Sequence, residues 1–219
     1  MSYVSVHNHT HYSNLRLLDA IIRPTELIDY AFECGLSGVA ITEHEVLSSH
    51  IEAIQHYKKK YKDKDFKLIL GNEIYLTDDR SMGGKYPHFI LLAKNAQGHQ
   101  ALRELSSNTW LNSYWDRGLE RVPTTKDELL AICKKYPNTL IATSACIGGE
   151  LPQYMLKMMR AEQENNQSKV DEAKQQIVQF LSFMQECFGE DFYLEIAPNT
   201  AEDQRMVNRR MKSIAQYFN

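Results

Sequence analysis

Tyr3-Val4-Ser5-Val6-His7-Asn8-His9 is a short run of strand-forming residues that closes on two histidines one residue apart. Successive side chains of a strand point to opposite faces, so His7 and His9 leave the same side of the strand end. That side can hold a metal, because neutral imidazole is the commonest transition-metal ligand. An isolated His-x-His triplet is nevertheless more often a solvated or hydrogen-bonded pair. Its meaning depends on what recurs downstream.

The pattern does recur. Gly38-Val39-Ala40-Ile41-Thr42 ends in Glu43-His44-Glu45, and Phe66-Lys67-Leu68-Ile69-Leu70 ends at Gly71-Asn72-Glu73, with Ile74-Tyr75-Leu76 as its continuation. After a loop carrying Gly83 and Gly84 comes His88-Phe89-Ile90-Leu91-Leu92-Ala93; Thr139-Leu140-Ile141-Ala142-Thr143 precedes Ser144-Ala145-Cys146, and Phe192-Tyr193-Leu194-Glu195-Ile196 is the last strand. Helical patterns lie between: Arg23 to Cys34, Ser48 to Tyr61, Asn95 to Trp115, a capped start at Thr124-Thr125-Lys126-Asp127-Glu128, a pair over Leu151 to Phe188 with a polar junction at Glu162 to Lys169, and Thr200 to Phe218. Strands alternating with helices predict right-handed β-α-β units and a parallel sheet. The length and the polar residues that close the strands favour a TIM-like barrel over a doubly wound sheet.

At 219 residues, a single domain over 1–219 is expected. Hydrophobic content of 43% and charged content of 24% are those of an ordinary globular protein. No stretch approaches a membrane span and no signal segment follows Met1, so a cytoplasmic protein with no membrane partner is expected. Cys34, Cys133, Cys146 and Cys187 form no C-x-x-C pair, which excludes a zinc-finger pattern and argues against a disulfide framework. A net charge of −3 gives no electrostatic case for strong nucleic-acid binding by this segment alone.

In a barrel, strand C-termini open on one face and bring together residues far apart in sequence. His7, His9, His44, Glu73 and Cys146 fall at such ends or just after them, with Asp19 in the first connecting loop. His88 opens its strand instead, so either that strand runs antiparallel or its boundary lies elsewhere. Imidazoles, carboxylates and one thiolate suit zinc, manganese or iron, and the set is too large for one tetrahedral ion. A multinuclear site is implied. Ions roughly 3.5–4 Å apart can share a bridging water and clamp phosphate oxygens, which makes phosphoester hydrolysis the best-suited reaction.

His7-Asn8-His9, Leu17-Leu18-Asp19, Ile41-Thr42-Glu43-His44, Gly71-Asn72-Glu73-Ile74-Tyr75, His88-Phe89-Ile90-Leu91-Leu92-Ala93 and Ser144-Ala145-Cys146-Ile147-Gly148-Gly149-Glu150 together resemble the PHP family, polymerase and histidinol phosphatase. Within it, these motifs, the Phe192-Tyr193-Leu194-Glu195 strand and the helix bearing Gln204 and Asn208 look like the N-terminal domain of the bacterial DNA polymerase III alpha subunit. The resemblance implies a distorted (β/α)7 barrel with up to three metal ions, zinc or manganese. His7 and His9 would hold one ion, Glu73 would bridge to a second held by His88 and Cys146, and Asp19 and His44 would serve a third. It also implies the rest of the polymerase subunit as partner, DNA through that whole polymerase, and other replisome subunits.

Two departures bear on the site. The family usually has aspartate where Glu43 stands, and the spacing from His9 to Asp19 is longer than in many relatives. The resemblance further implies an Asp-x-His strand after the last helix, whereas the sequence stops at Tyr217-Phe218-Asn219. The expectation is therefore a C-terminally truncated barrel with a weakened site and no polymerase centre. Three functions stand open: a metal-dependent phosphoesterase acting as a proofreading 3′ to 5′ exonuclease or pyrophosphatase, a silent structural or docking module of the polymerase, and a histidinol phosphatase-type enzyme.

Other residues read more simply. His11, His50, His56 and His99 are expected to be solvated or structural, Cys34, Cys133 and Cys187 to be small buried hydrophobes, and Lys58-Lys59-Lys60 with Lys62 and Lys64 to be a solvated helix end. Trp110, Tyr114 and Trp115 are expected on one helix facing the core, with Arg117 and Arg121 as candidate phosphate contacts.

Overall fold

The computed structural model describes residues 3–16, 18, 20–80 and 86–216. Its sheet begins with β1 (Val4–Ser5), β2 (Gly38–Ile41) and β3 (Lys67–Thr77), paired in parallel in that order. The helices α1 (Pro24–Glu33) and α2 (His50–Lys60) are the crossovers between them. Every residue of β2 is buried, as a strand covered on both faces requires. Ile28, Ala31, Val39, Ile41, Ala53, Tyr61 and Phe66 pack beneath these helices as one apolar cluster.

β3 is one long strand rather than two, and it changes partners along its length. Residues 67–70 pair with β2, Gly71 to Tyr75 pair antiparallel with β4 (His88–Ala93), and Leu76 and Thr77 pair in parallel with β7 (Thr124–Thr125). Gly71 stands at the change because a Cβ there would lie 2.6 Å from the Leu91 carbonyl oxygen and 2.8 Å from Thr42 Cγ2. β4 also pairs antiparallel with β8 (Leu140–Thr143), which continues in parallel to β9 (Phe192–Tyr193). β4 thus runs against its neighbours, so the start of β4 lies at the same end of the sheet as the finish of β8. The antiparallel alternative for His88 is the one realised.

The sheet curls into a half-barrel, a distorted TIM-like arrangement with seven α-helices among the described residues. α3 (Ala96–Leu111) begins at Asn95, whose side chain caps Gly98 N, and α4 (Lys126–Lys135) begins with a capping box between Thr125 and Glu128. The pair α5 (Glu150–Gln163) and α6 (Gln167–Phe188) joins α7 (Glu202–Ala215) over the main core, which includes Phe89, Leu91, Leu102, Leu129, Met155 and Met184.

Three expectations need correcting. The helix over Asn95 to Trp115 ends at Leu111, and Tyr114–Asp116 (β5) pairs with Leu119–Arg121 (β6) as a hairpin. Arg117 at φ 52° and Gly118 at φ 77° form its two-residue turn, a conformation that matches the twist of paired strands. Trp115 is consequently 67% exposed, while Trp110 is half-buried and donates its indole N–H to Glu45 O at 3.0 Å. Cys34 is exposed because it sits at the C-cap of α1, beyond the face of that helix that packs. No helix among the described residues is long and apolar enough to cross a membrane.

Candidate metal centre

Glu73 lies in the middle of β3 and is completely buried. Four imidazole nitrogens face its carboxylate: His88 Nδ1 at 2.6 Å and His7 Nε2 at 3.6 Å from Oε1, His44 Nδ1 at 2.7 Å and His9 Nε2 at 3.1 Å from Oε2. Neither oxygen accepts an aligned hydrogen bond among the described residues. A buried carboxylate left in this state is costly unless something else satisfies it. Burial opposes its charge, yet the surrounding histidines hold the Glu73 carboxyl well below the usual range.

The loop after β1 fixes two of those imidazoles by their outer nitrogens. His7 Nδ1 lies 2.7 Å from Glu195 Oε1, and Thr143 Oγ1 donates to the other Glu195 oxygen at 2.6 Å. A carboxylate only accepts, so His7 carries a proton on Nδ1, and the neutral ring would turn its Nε2 lone pair inward. His9 is set the same way one step removed. Ser13 Oγ donates to Glu43 Oε2 at 2.5 Å, so at 3.1 Å from His9 Nδ1 it must accept, leaving the His9 Nε2 lone pair facing Glu73. Outer partners of this kind orient metal-binding histidines and raise their basicity. In the ion-free state burial disfavours the charged ring, but Glu195 and Glu73 raise His7 to about 10. Cys146 and Glu73 likewise outweigh burial at His88 and raise it to about 10.

Glu43 therefore acts through the loop. It is fully buried and accepts from Thr10 N at 3.0 Å, from the Thr10 hydroxyl and from Ser13. Ser13 Oγ also accepts from His44 N at 3.1 Å, which ties the β2 end to the same loop. His44 stacks on His9 with ring centroids 4.1 Å apart. The next residue, Glu45, has φ 57°, held there by its N–H to Glu73 O at 2.8 Å, by Arg16 Nε to Oε2 at 2.9 Å and by the Trp110 indole. Ala145 shows the same left-handed conformation, φ 57°, immediately before Cys146. Non-glycine residues in this region are strained, and such strain gathers at functional sites.

Two donor groups result, His7 with His9 and Glu73, and Glu73 with His88 and Cys146, each with its ligand atoms within 4.8 Å of one another. Glu73 belongs to both, as a bridging ligand would. Six of the seven residues singled out in the sequence thus meet at one place, while Asp19 lies outside the described residues. His44, grouped by resemblance with Asp19, stands against Glu73. Glu195 and Ser13 carried no assigned role in the sequence, because a carboxylate 188 residues from His7 has no local spacing to reveal it.

His50, His56 and His99 serve structural ends. His50 is buried, with Nε2 3.0 Å from Gly71 O and Nδ1 3.1 Å from His99 Nε2, and burial lowers it to about 4. His56 pairs with Asp29 at 2.6 Å. Arg121 stacks over Tyr86 at 4.7 Å and Arg117 is largely exposed beside Asp116.

The family model for the PHP domain matches residues 5–199, which include the buried carboxylate, the imidazoles and the thiol of this cluster. The chain belongs to the PHP domain family. Within that family its sequence relatives are polymerases: it is 39% identical over 98% of its length to the probable DNA polymerase YorL of Bacillus subtilis strain 168, and 34% identical over 95% to the DNA polymerase III subunit alpha of Borreliella burgdorferi. The match falls on the N-terminal portion of these polymerases, and it spans 18% and 16% of their respective lengths. Among solved structures, a Bifidobacterium adolescentis protein named "putative metal-dependent phosphoesterase" shares the fold at a TM-score of 0.53 and 15% identity, over 99% of this chain and 84% of that one.

Proposed function

We propose that residues 1–219 form one PHP domain of a bacterial-type replicative DNA polymerase chain, and that it holds divalent metal ions, zinc or manganese, in a site built for phosphoester hydrolysis. The observation that carries this reading is Glu73: buried, ionised, without an aligned hydrogen bond on either oxygen among the described residues, and faced by His7, His9, His44 and His88. Protonated imidazoles meet its charge in the ion-free state, and cations placed between the same atoms would replace those protons. His7, His9 and Glu73 would hold one ion; Glu73, His88 and Cys146 a second. The donor set fits, since nitrogen, carboxylate and thiolate together suit zinc and, less strongly, manganese.

Bound ions would supply Lewis acidity to phosphoryl oxygens and lower the pKa of a water. The chain itself orients the donors. Glu195 and Ser13 keep two imidazole lone pairs inward, and the Glu43 cage holds the loop that carries them. The strained Glu45 and Ala145 backbones fix His44 and Cys146 relative to β3.

The test is elemental analysis of chelator-treated protein after reloading with zinc or manganese, followed by nucleotide release from a DNA 3′ end, pyrophosphate hydrolysis and nitrophenol release from a phosphodiester analogue. The expected result is metal in the wild type and none retained by a His9→Ala/Glu73→Ala variant, with any hydrolysis lost in the same variant. Equal, negligible metal in both proteins overturns the site. Full metal loading with no hydrolysis of any substrate assigns the ions to holding the β1 loop, β3, β4 and the β8 turn together as a structural module.

A further inference from the structure

Cys133 and Cys187 stand far apart in sequence and on different helices, yet they meet in the fold. Cys133 lies on the buried face of α4 and Cys187 in the last turn of α6, where it is half-buried; both are free thiols. Together with Tyr136, Asn138, Leu140 and Phe188 they line a void of about 10 Å³, room for about one water. Their sequence neighbours Lys134 and Glu186 form an ion pair at 3.5 Å, which places α4 and α6 side by side at this level. The hydrogen bond with Cys187, and burial after it, raise the Cys133 thiol above its ordinary range. We propose that this pair is a site of reversible oxidation, at which a peroxide converts the two thiols into a disulfide that joins α4 to α6.

Exposure assigns the order of the steps. Both cysteines also line a surface groove with Lys94, Gln185 and Glu190, but Cys133 is 8% exposed whereas Cys187 is the more open of the two. Cys187 therefore meets the oxidant first, since thiol oxidation follows access and thiolate character. Its sulfur, on losing the thiol proton, bonds to one peroxide oxygen as the O–O bond breaks, which gives a sulfenic acid and, with that proton, one water. The Cys133 sulfur then bonds to the Cys187 sulfur as the S–O bond breaks; the Cys133 proton and the departing hydroxide make the second water. Two electrons pass from the thiols to the peroxide, and a dithiol reductant reverses the bond by exchange. Leu140, which lines the void, opens β8, whereas Cys146 follows its finish and lies 3.8 Å from His88 Nδ1, so the thiol pair and the candidate metal centre are at opposite ends of that strand.

The test treats the reduced chain, freed of reductant, with one equivalent of hydrogen peroxide, blocks the remaining thiols with N-ethylmaleimide and maps the digest by mass spectrometry without reduction. The expected result is a peptide pair linked through Cys133 and Cys187, with two of the four thiols lost and both regained on adding dithiothreitol. The link closes a loop that holds β8, α5 and most of α6, so the melting temperature should rise by roughly 5–10 °C and fall back on reduction. Cys133→Ala should abolish both the link and the rise and leave Cys187 as a sulfenic acid that dimedone traps. Cys187→Ala should abolish both and give no such adduct at Cys133; Cys187→Ser, closer in shape, replaces it if the reduced alanine variant is found unfolded. A Cys133–Cys187 pair that stays unlinked in the folded chain while the peroxide is consumed overturns the site, and so does a link that forms only in denaturant.

Discussion

Glu73 and Asp29 are both carboxylates flanked by histidine, yet they are opposite cases. Asp29, on α1, is saturated by donors: His56 Nε2 and Tyr61 Oη reach Oδ1 at 2.6 Å each, and Lys60 Nζ reaches Oδ2 at 2.8 Å. Burial works against its charge, but these three partners lower Asp29 to about 2. Glu73 is more deeply buried, has more imidazoles around it, and has no aligned hydrogen bond among the described residues. Closeness of acid and histidine therefore does not mark a metal centre. What sets Glu73 apart is convergence: four imidazoles close on one buried carboxylate, two of them oriented from outside by Glu195 and Ser13.

The comparison breaks most sharply at Glu73→Gln. Both donor groups lose their shared ligand, so zinc affinity should fall by roughly 100-fold or more, beyond the effect of losing an outer partner. Competition against a calibrated chelator reads the change. A fall of less than about tenfold, the lower bound for an outer partner, would demote Glu73 from shared ligand to neighbour.

Glu195→Gln sharpens the same contrast one step outward. The amide can present its N–H₂ to His7 Nδ1 and reverse the ring's tautomer, so zinc affinity should drop by about 10–100-fold with all ligands intact. In the metal-free protein, nuclear magnetic resonance should show His7 titrating below its value of about 10, because Glu195 is one of the two carboxylates that raise it. An unchanged affinity would mean that the orientation of His7 is set elsewhere.

The smallest effect belongs to Asp29→Asn, which should leave metal content untouched. Its folded pKa is depressed from 3.8 to about 2, so the stabilisation is present above about pH 4 and is lost as the pH falls toward 2. A shift of this size corresponds to roughly 2 kcal/mol, an upper value because the side chain is 27% exposed. Denaturant unfolding of both proteins from pH 7 to pH 2 should show the difference shrinking to nothing at the acid end. A difference independent of pH would assign the effect to packing between α1 and α2 instead.

Which parts were readable in advance follows from the range of the interaction that decides each. His7-Asn8-His9 could be placed on one face because strand geometry spans two residues, and Thr125 with Glu128 announced α4 because a capping box spans three. The helix expected from Asn95 to Trp115 overruns Tyr114 and Trp115, which start the hairpin, because Trp110, Tyr114 and Trp115 also fit a helical face; Gly118 is the signal against it. His88 left two answers open until its register against Glu73's strand was known, with Tyr75 opposite His88 and Glu73 opposite Ile90.

The sequence by itself determined the chemistry of the donors, the alternation of strands and helices that carries them, and, through its motifs, the PHP family. Tertiary structure alone decided that β4 is reversed, that Glu73 is shared between two groups and that Glu195 reaches His7. The physical reason is that residue types and local spacings are properties of a short segment, whereas strand direction and the satisfaction of a buried charge depend on partners that only the packed chain brings within a few ångströms.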